Sequence, residues 1–213
     1  MIDKNIGPIV FGTSCLGNLY QELPWATKLA LVKAYFEHTG VPVVDTAGKY
    51  GAGMALTCLG RALRELNILP GKIIISNKLG WRRQPLRDKE PTFEPGVWKN
   101  IGFDAMLDIS YDGILRCYRE GRELIGEGYA FDLLSVHDPD EFLKSGGRKD
   151  DILGAYQALF ELKSKGETAG IGIGVKDWTV IRDLYKCVKF DWVMFACAPT
   201  VLHHPPELLK FIR

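Results

Sequence analysis

With 213 residues the chain has room for one substantial domain, and its 46% hydrophobic content is that of an ordinary globular core. Lysine plus arginine number 27 against 26 acids, a net charge of +1, which excludes an electrostatic grip on nucleic acid or an anionic membrane as the main activity. No apolar run approaches the ~18 residues of a membrane span, and the opening MIDKNIGPIVFG lacks a basic start followed by an apolar signal region; the expectation is a cytoplasmic protein.

Strand-like and helical patterns alternate along the chain. Residues 9–14, IVFGTS, read as a first strand, and a helix over 24–39 follows, with Gly40 suited to its end. Residues 41–45, VPVVD, form the second strand. Leu56, Leu59, Leu63 and Leu66 then fall on one helical face. The β-branched run 72–78, KIIISNK, is the third strand. Residues 79–102 read as a long loop with three prolines and three arginines, and 103–125 as a helix. AFDLLSVH, 130–137, is the fourth strand. Ile152, Tyr156, Leu159 and Phe160 mark a helix ending near Gly166, and TAGIGIGV, 168–175, is the fifth strand. Trp178, Ile181, Tyr185 and Val188 mark a further helix, FDWVMFACA, 190–198, the sixth strand, and a last helix opens at Pro206. Continuous apolar strands separated by helices predict a parallel sheet covered by helices, in one domain over 1–213. Six β–α units fit either an open six-stranded sheet or a (β/α)8 barrel of which about six of the eight units are present.

In such a sheet the C-terminal strand ends share one rim, where chemistry collects. Asp45 ends the second strand and Tyr50 follows in a glycine-flanked loop; Lys78 ends the third strand and His137 the fourth. A free tyrosine titrates near ~10, and a neighbouring ammonium favours its phenolate, so a lysine held by a carboxylate makes a tyrosine a proton donor or acceptor. An imidazole on the same rim would position the reacting oxygen. The hydridic partner that this system needs is the chemistry of a nicotinamide cofactor.

These residues carry a resemblance. VVDTAGKYG, ISNKLG and LLSVHDPD are similar to the Asp-x4-Tyr, lysine and histidine elements of the aldo-keto reductase superfamily, in the right order. FEPGVWKN and HDPDEFL further resemble the branch of aldose, galactose and fucose dehydrogenases. The resemblance implies a (β/α)8 TIM-type barrel and NADP or NAD as cofactor. It implies an oxidoreductase that takes an aldose at carbon one to its lactone, or reduces a carbonyl. Tyr50 would be the proton donor and acceptor, Asp45 and Lys78 its tuning pair, and His137 the substrate-orienting group. Gly12 and Thr13, with Asp45, would lie against the nicotinamide. Where the family often has a Ser-Asn pair for the carboxamide, this chain has Gly174-Val175-Lys176-Asp177. Strands seven and eight, which in the family bring the groups that hold the cofactor phosphates, are absent. The alternative is therefore a non-catalytic barrel fragment or binding subunit, with unpaired sheet edges that invite self-association.

A Rossmann domain, in which Asp45 would bind a ribose, needs G-x-G-x-x-G after the first strand; here the turn is GTSCLG, without the middle glycine. The five cysteines have no metal-ligand spacing and read as buried thiols in a reducing compartment, so no metal is expected. WRRQPLRDK, after Lys78, is a candidate substrate lid. Trp81 and Trp98 bracket it as candidate walls for a sugar ring, with a purely structural burial equally open. The expected partner is a small-molecule substrate, an aldose or other carbonyl or alcohol.

Overall fold

The computed structural model describes residues 7–37, 40–196 and 199–213. His38 and Thr39, at the expected end of the first helix, and Cys197 and Ala198, at the expected end of the sixth strand, lie outside the described residues. Six strands form one parallel sheet: β1 (Val10–Gly12), β2 (Val43–Ala47), β3 (Ile74–Leu79), β6 (Leu133–His137), β7 (Gly170–Val175) and β8 (Trp192–Phe195), in that spatial order. Helices alternate with them: α1 (Trp25–Tyr35), α2 (Met54–Glu65), α3 (Tyr111–Ile125), α4 (Pro139–Lys144), α5 (Lys149–Ser164), α6 (Trp178–Leu184) and α7 (Pro206–Ile212). The sequential parallel order is that of a partial (β/α) barrel, and among the described residues β1 and β8 each pair on one side only.

The two sheet faces divide the labour. Val44, Ile75, Leu134, Ile171 and Ile173 point outward and pack under the leucine stripe of α2 and the apolar faces of α3 and α5, in one continuous core. The opposite face is the barrel interior. Its lower layer is Val43, Ile74 and Leu133, with Trp192 against them. Burial on both faces explains why these strands read as unbroken apolar runs. In β7 the inward positions are Gly170, Gly172 and Gly174. A Cβ on Gly172 would lie 2.2 Å from the Trp192 ring, and one on Gly174 3.0 Å from the Lys78 stem. The alternating glycines therefore leave space for large side chains from β8, next to β7, and from β3, two strands away.

The stretch expected to be a loop and then a helix differs. Residues Trp81–Pro85 form β4, antiparallel to β5 (Phe103–Leu107), as a separate two-stranded sheet. The helix begins only at Tyr111, because Ser110 caps it: its Oγ accepts from the Gly113 N–H at 3.0 Å. Within segment 86–102, Thr92 is tied to the buried Asp104 carboxylate by N–H (3.0 Å) and hydroxyl (2.7 Å). Asn18 and Lys99 exchange two hydrogen bonds, of 2.9 and 3.0 Å, which seat the segment against the turn after β1. Among the described cysteines the expected burial holds for Cys117, whereas Cys15 and Cys58 are half-buried and Cys187 is exposed.

Candidate active site

The inward face of the sheet builds the site from the bottom up. Above the apolar layer, Asp45 of β2 accepts from the Ser76 hydroxyl at 3.1 Å and is in contact with the Lys78 ammonium. Asp45, Ser76 and Lys78 are all nearly fully buried, so both ionic groups are compensated by each other. Burial pulls the Lys78 pKa down, but the Asp45 charge and the Tyr50 hydroxyl more than offset it, and the group stays an ammonium. Its Nζ lies 4.9 Å from the Tyr50 ring centre. The Tyr50 ring meets His137 edge-on, 5.7 Å between centres at 89°.

His137 is buried, and burial, followed by the charges of Lys78, Lys49 and Lys176, holds it well below the usual imidazole range, hence neutral. Its Nδ1 has no hydrogen-bond partner, and its Nε2 stands 3.6 Å from Asp138 Oδ2. The four groups that end on this rim are thus a charged pair, a phenol and a neutral imidazole, side by side.

Tyr50, Lys78 and His137 line an open cavity of about 540 Å³, together with Trp98, Gly174 and Met194, while Asp45 lies beneath it, behind Lys78. Trp98 is one wall: its ring lies 5.9 Å from Tyr50, and its indole N–H donates to Glu94 at 2.8 Å. Trp81 does not line this cavity. It stands one layer behind, 5.9 Å from Phe93 and with Lys49 Nζ 4.7 Å above its ring, so that β4 spends it on anchoring segment 86–102. Thr13 is also turned away: its N–H and its hydroxyl both donate to the Asp45 carbonyl at 3.0 Å, which fixes the first turn to β2. Gly12 pairs with Asp45 in the sheet and is exposed, with open space where a Cβ would stand. Lys176, where the family's Ser-Asn pair is expected, reaches instead to Glu141 and Asp138.

The residues present fit the nicotinamide end of a dinucleotide. The cavity is of ligand size and mostly apolar, the backbone at Gly12 is open, and His137, whose Nδ1 has no hydrogen-bond partner, is part of the lining. One cluster escaped the sequence reading. Lys49, immediately before Tyr50, is 3% exposed and holds Glu94 (2.8 Å), Asp138 (3.2 Å) and Glu141 (3.5 Å). Asp138, in the left-handed region at φ 51°, was the available signal: a second acid directly after the strand-ending histidine, pinned by Pro139.

A sequentially ordered parallel (β/α) sheet is the frame of a TIM-type barrel, and this one gathers Asp45, Lys78, Tyr50 and His137 at one end. The aldo/keto reductase family pattern matches residues 8–213, and the chain belongs to that family. It is 30% identical over 207 residues to the pyridoxal 4-dehydrogenase of Microbacterium luteolum, covering 92% of this chain and 60% of that protein. It is 26% identical over 168 residues to the L-galactose dehydrogenase of Arabidopsis thaliana, covering 79% and 44%. Among solved structures, an aldo-keto reductase from Bacillus halodurans in its holo form superposes with a TM-score of 0.65 at 22% identity, over 91% of this chain and 54% of that one. The chain thus spans about half the length of the relatives it matches.

Proposed function

We propose that this chain carries the proton-transfer side of an NAD(P)-dependent oxidoreductase that oxidises an aldose at carbon one to its lactone, or runs the reverse carbonyl reduction. The observation behind it is the convergence of Lys78, Tyr50 and His137 on one cavity, with Asp45 buried against Lys78 beneath them. Tyr50 takes the proton from the substrate hydroxyl in oxidation, or returns one to the carbonyl oxygen in reduction. The Lys78 ammonium stands 4.9 Å from the centre of the phenol ring, and Asp45, itself held by Ser76, keeps the ammonium in place. Neutral His137 offers a ring nitrogen to the same oxygen and orients it. A bound nicotinamide dinucleotide supplies or accepts the hydride. Gly12 and Asp45 would flank its nicotinamide, Thr13 acting through its grip on the Asp45 backbone. Trp98 offers an aromatic face to the sugar ring. The likeness to an L-galactose dehydrogenase supports the aldose, and the likeness to a pyridoxal 4-dehydrogenase adds pyridoxal as a second substrate to assay.

One observation favours a non-catalytic binding barrel instead: Lys49 and Lys176, at the cavity, are both spent on carboxylates rather than free for a phosphate. Fluorescence titration with NADPH and NADH decides between the two. Saturable binding with sugar-dependent NAD(P)H formation supports the enzyme; absence of any saturable binding supports the scaffold.

A further inference from the structure

We propose that Lys49 is a positioning residue that orients the aromatic wall and the histidine segment of the cavity from a single buried ammonium. This rests on the cavity being the substrate site. The geometry is a chain of contacts. The Trp98 indole N–H donates to one oxygen of Glu94 at 2.8 Å, and the other oxygen of Glu94 meets Lys49 Nζ at 2.8 Å. The same ammonium reaches Asp138 Oδ2 at 3.2 Å and Glu141 Oε2 at 3.5 Å, while its charge sits 4.7 Å from the Trp81 ring centre. Three segments therefore meet at one cation. They are the loop that carries Tyr50, segment 86–102 that carries Trp98, and the turn after β6 that follows His137.

Two features separate this from an ordinary surface ion pair. Lys49 is almost completely buried, and its three anionic partners come from two remote segments, so one cation ties together loops that are far apart in the chain. Glu94 and Asp138 both hold positive φ (46° and 51°), which places their carboxylates where ordinary backbone would not. Lys176 caps the far side of the cluster through Glu141 and Asp138. Asn18 and the Thr92–Asp104 pair anchor segment 86–102 independently. Loss of Lys49 thus frees the Glu94 carboxylate and the Trp98 indole that it holds, while the backbone of the segment stays pinned by the Tyr20–Val97 and Asn18–Lys99 bonds.

The test is ¹⁹F NMR on chain labelled with 5-fluorotryptophan, the Trp98 line being assigned with Trp98→Phe. Lys49→Met is expected to shift the Trp98 line or split it, and Glu94→Gln, which keeps size and shape, to do the same. Lys49→Arg, which keeps the charge, returns the line toward its native position. Where substrate turnover is measurable, Lys49→Met raises KM roughly tenfold, the scale of one lost charged hydrogen bond, with a smaller change in kcat. A Trp98 line unmoved in both Lys49→Met and Glu94→Gln overturns the proposal. The NMR reading needs no substrate, so a failure of the enzymatic proposal and a failure of this one are told apart.

Discussion

Gly17 and Gly51 touch backbone to backbone. A Cβ on Gly17 would stand 2.8 Å from the carbonyl carbon and oxygen of Tyr50, and one on Gly51 2.4 Å from the Gly17 carbonyl oxygen. Gly51 also lies at φ +60°, where an L side chain is strained. The glycine flank of Tyr50 is thus a seat: it lets the loop after β2 press onto the turn after β1 and holds the phenol over Lys78. Gly51→Ala is expected to destabilise the fold by about 1–3 kcal/mol and to lower turnover further than that loss of fold explains. Urea denaturation together with assays at saturating substrate measures both.

Tyr50→Phe removes one oxygen from a half-buried ring whose packing against Trp98 and His137 remains. Turnover should fall by ~10²–10⁴, the usual worth of a positioned acid–base group, while nucleotide titration stays as in the parent chain. A variant that retains full activity removes Tyr50 from the proton path.

Asp45 and Lys78 compensate each other in the interior. Asp45→Asn or Lys78→Met alone strands a buried charge and should cost about 3–5 kcal/mol. The double variant should be less damaged than the sum of the singles. A double-mutant cycle of denaturation midpoints reads this coupling, and simple additivity would contradict the pairing.

His137 gives the pH dependence its sign. Its folded pKa is depressed, so the unfolded chain binds this proton more readily. The stability linked to neutral His137 is fully present above the unfolded value of ~6.5 and is lost as pH falls below it toward the folded value. Asp138, whose carboxyl is raised by burial, acts in the opposite sense at lower pH, where its folded form takes up a proton first. Thermal melts between pH 7.5 and ~5.5 should show a decline that His137→Gln flattens.

Much of this was legible from residue order. Asp45, Lys78 and His137 close strand-like runs, so their place along one rim of a parallel sheet could be read without coordinates, and Tyr50 came with its glycines. Other features were hidden for physical reasons. Lys49 in a polar glycine loop reads as a solvated charge; its burial is made by Glu94 and Asp138, 45 and 89 residues away, from segments that no local pattern links to it. The β4–β5 hairpin was masked because Arg82, Arg83 and Pro85 argue against a strand, and because Phe103 and Leu107 fall at helical spacing before the cap at Ser110 stops that register. Trp81 and Trp98 look alike in sequence. Only the direction of their segments sends one to the cavity and the other behind it.

The glycines facing inward on β7 impose a constraint at a distance. A methyl group at position 174 would press on the Lys78 stem at 3.0 Å, and the stem would have to yield by tenths of an ångström, passing that shift to an ammonium lodged between a carboxylate and a phenol. β7 contributes no acid, base or hydrogen-bonding side chain from these positions, yet its permitted alphabet is dictated by a lysine two strands away.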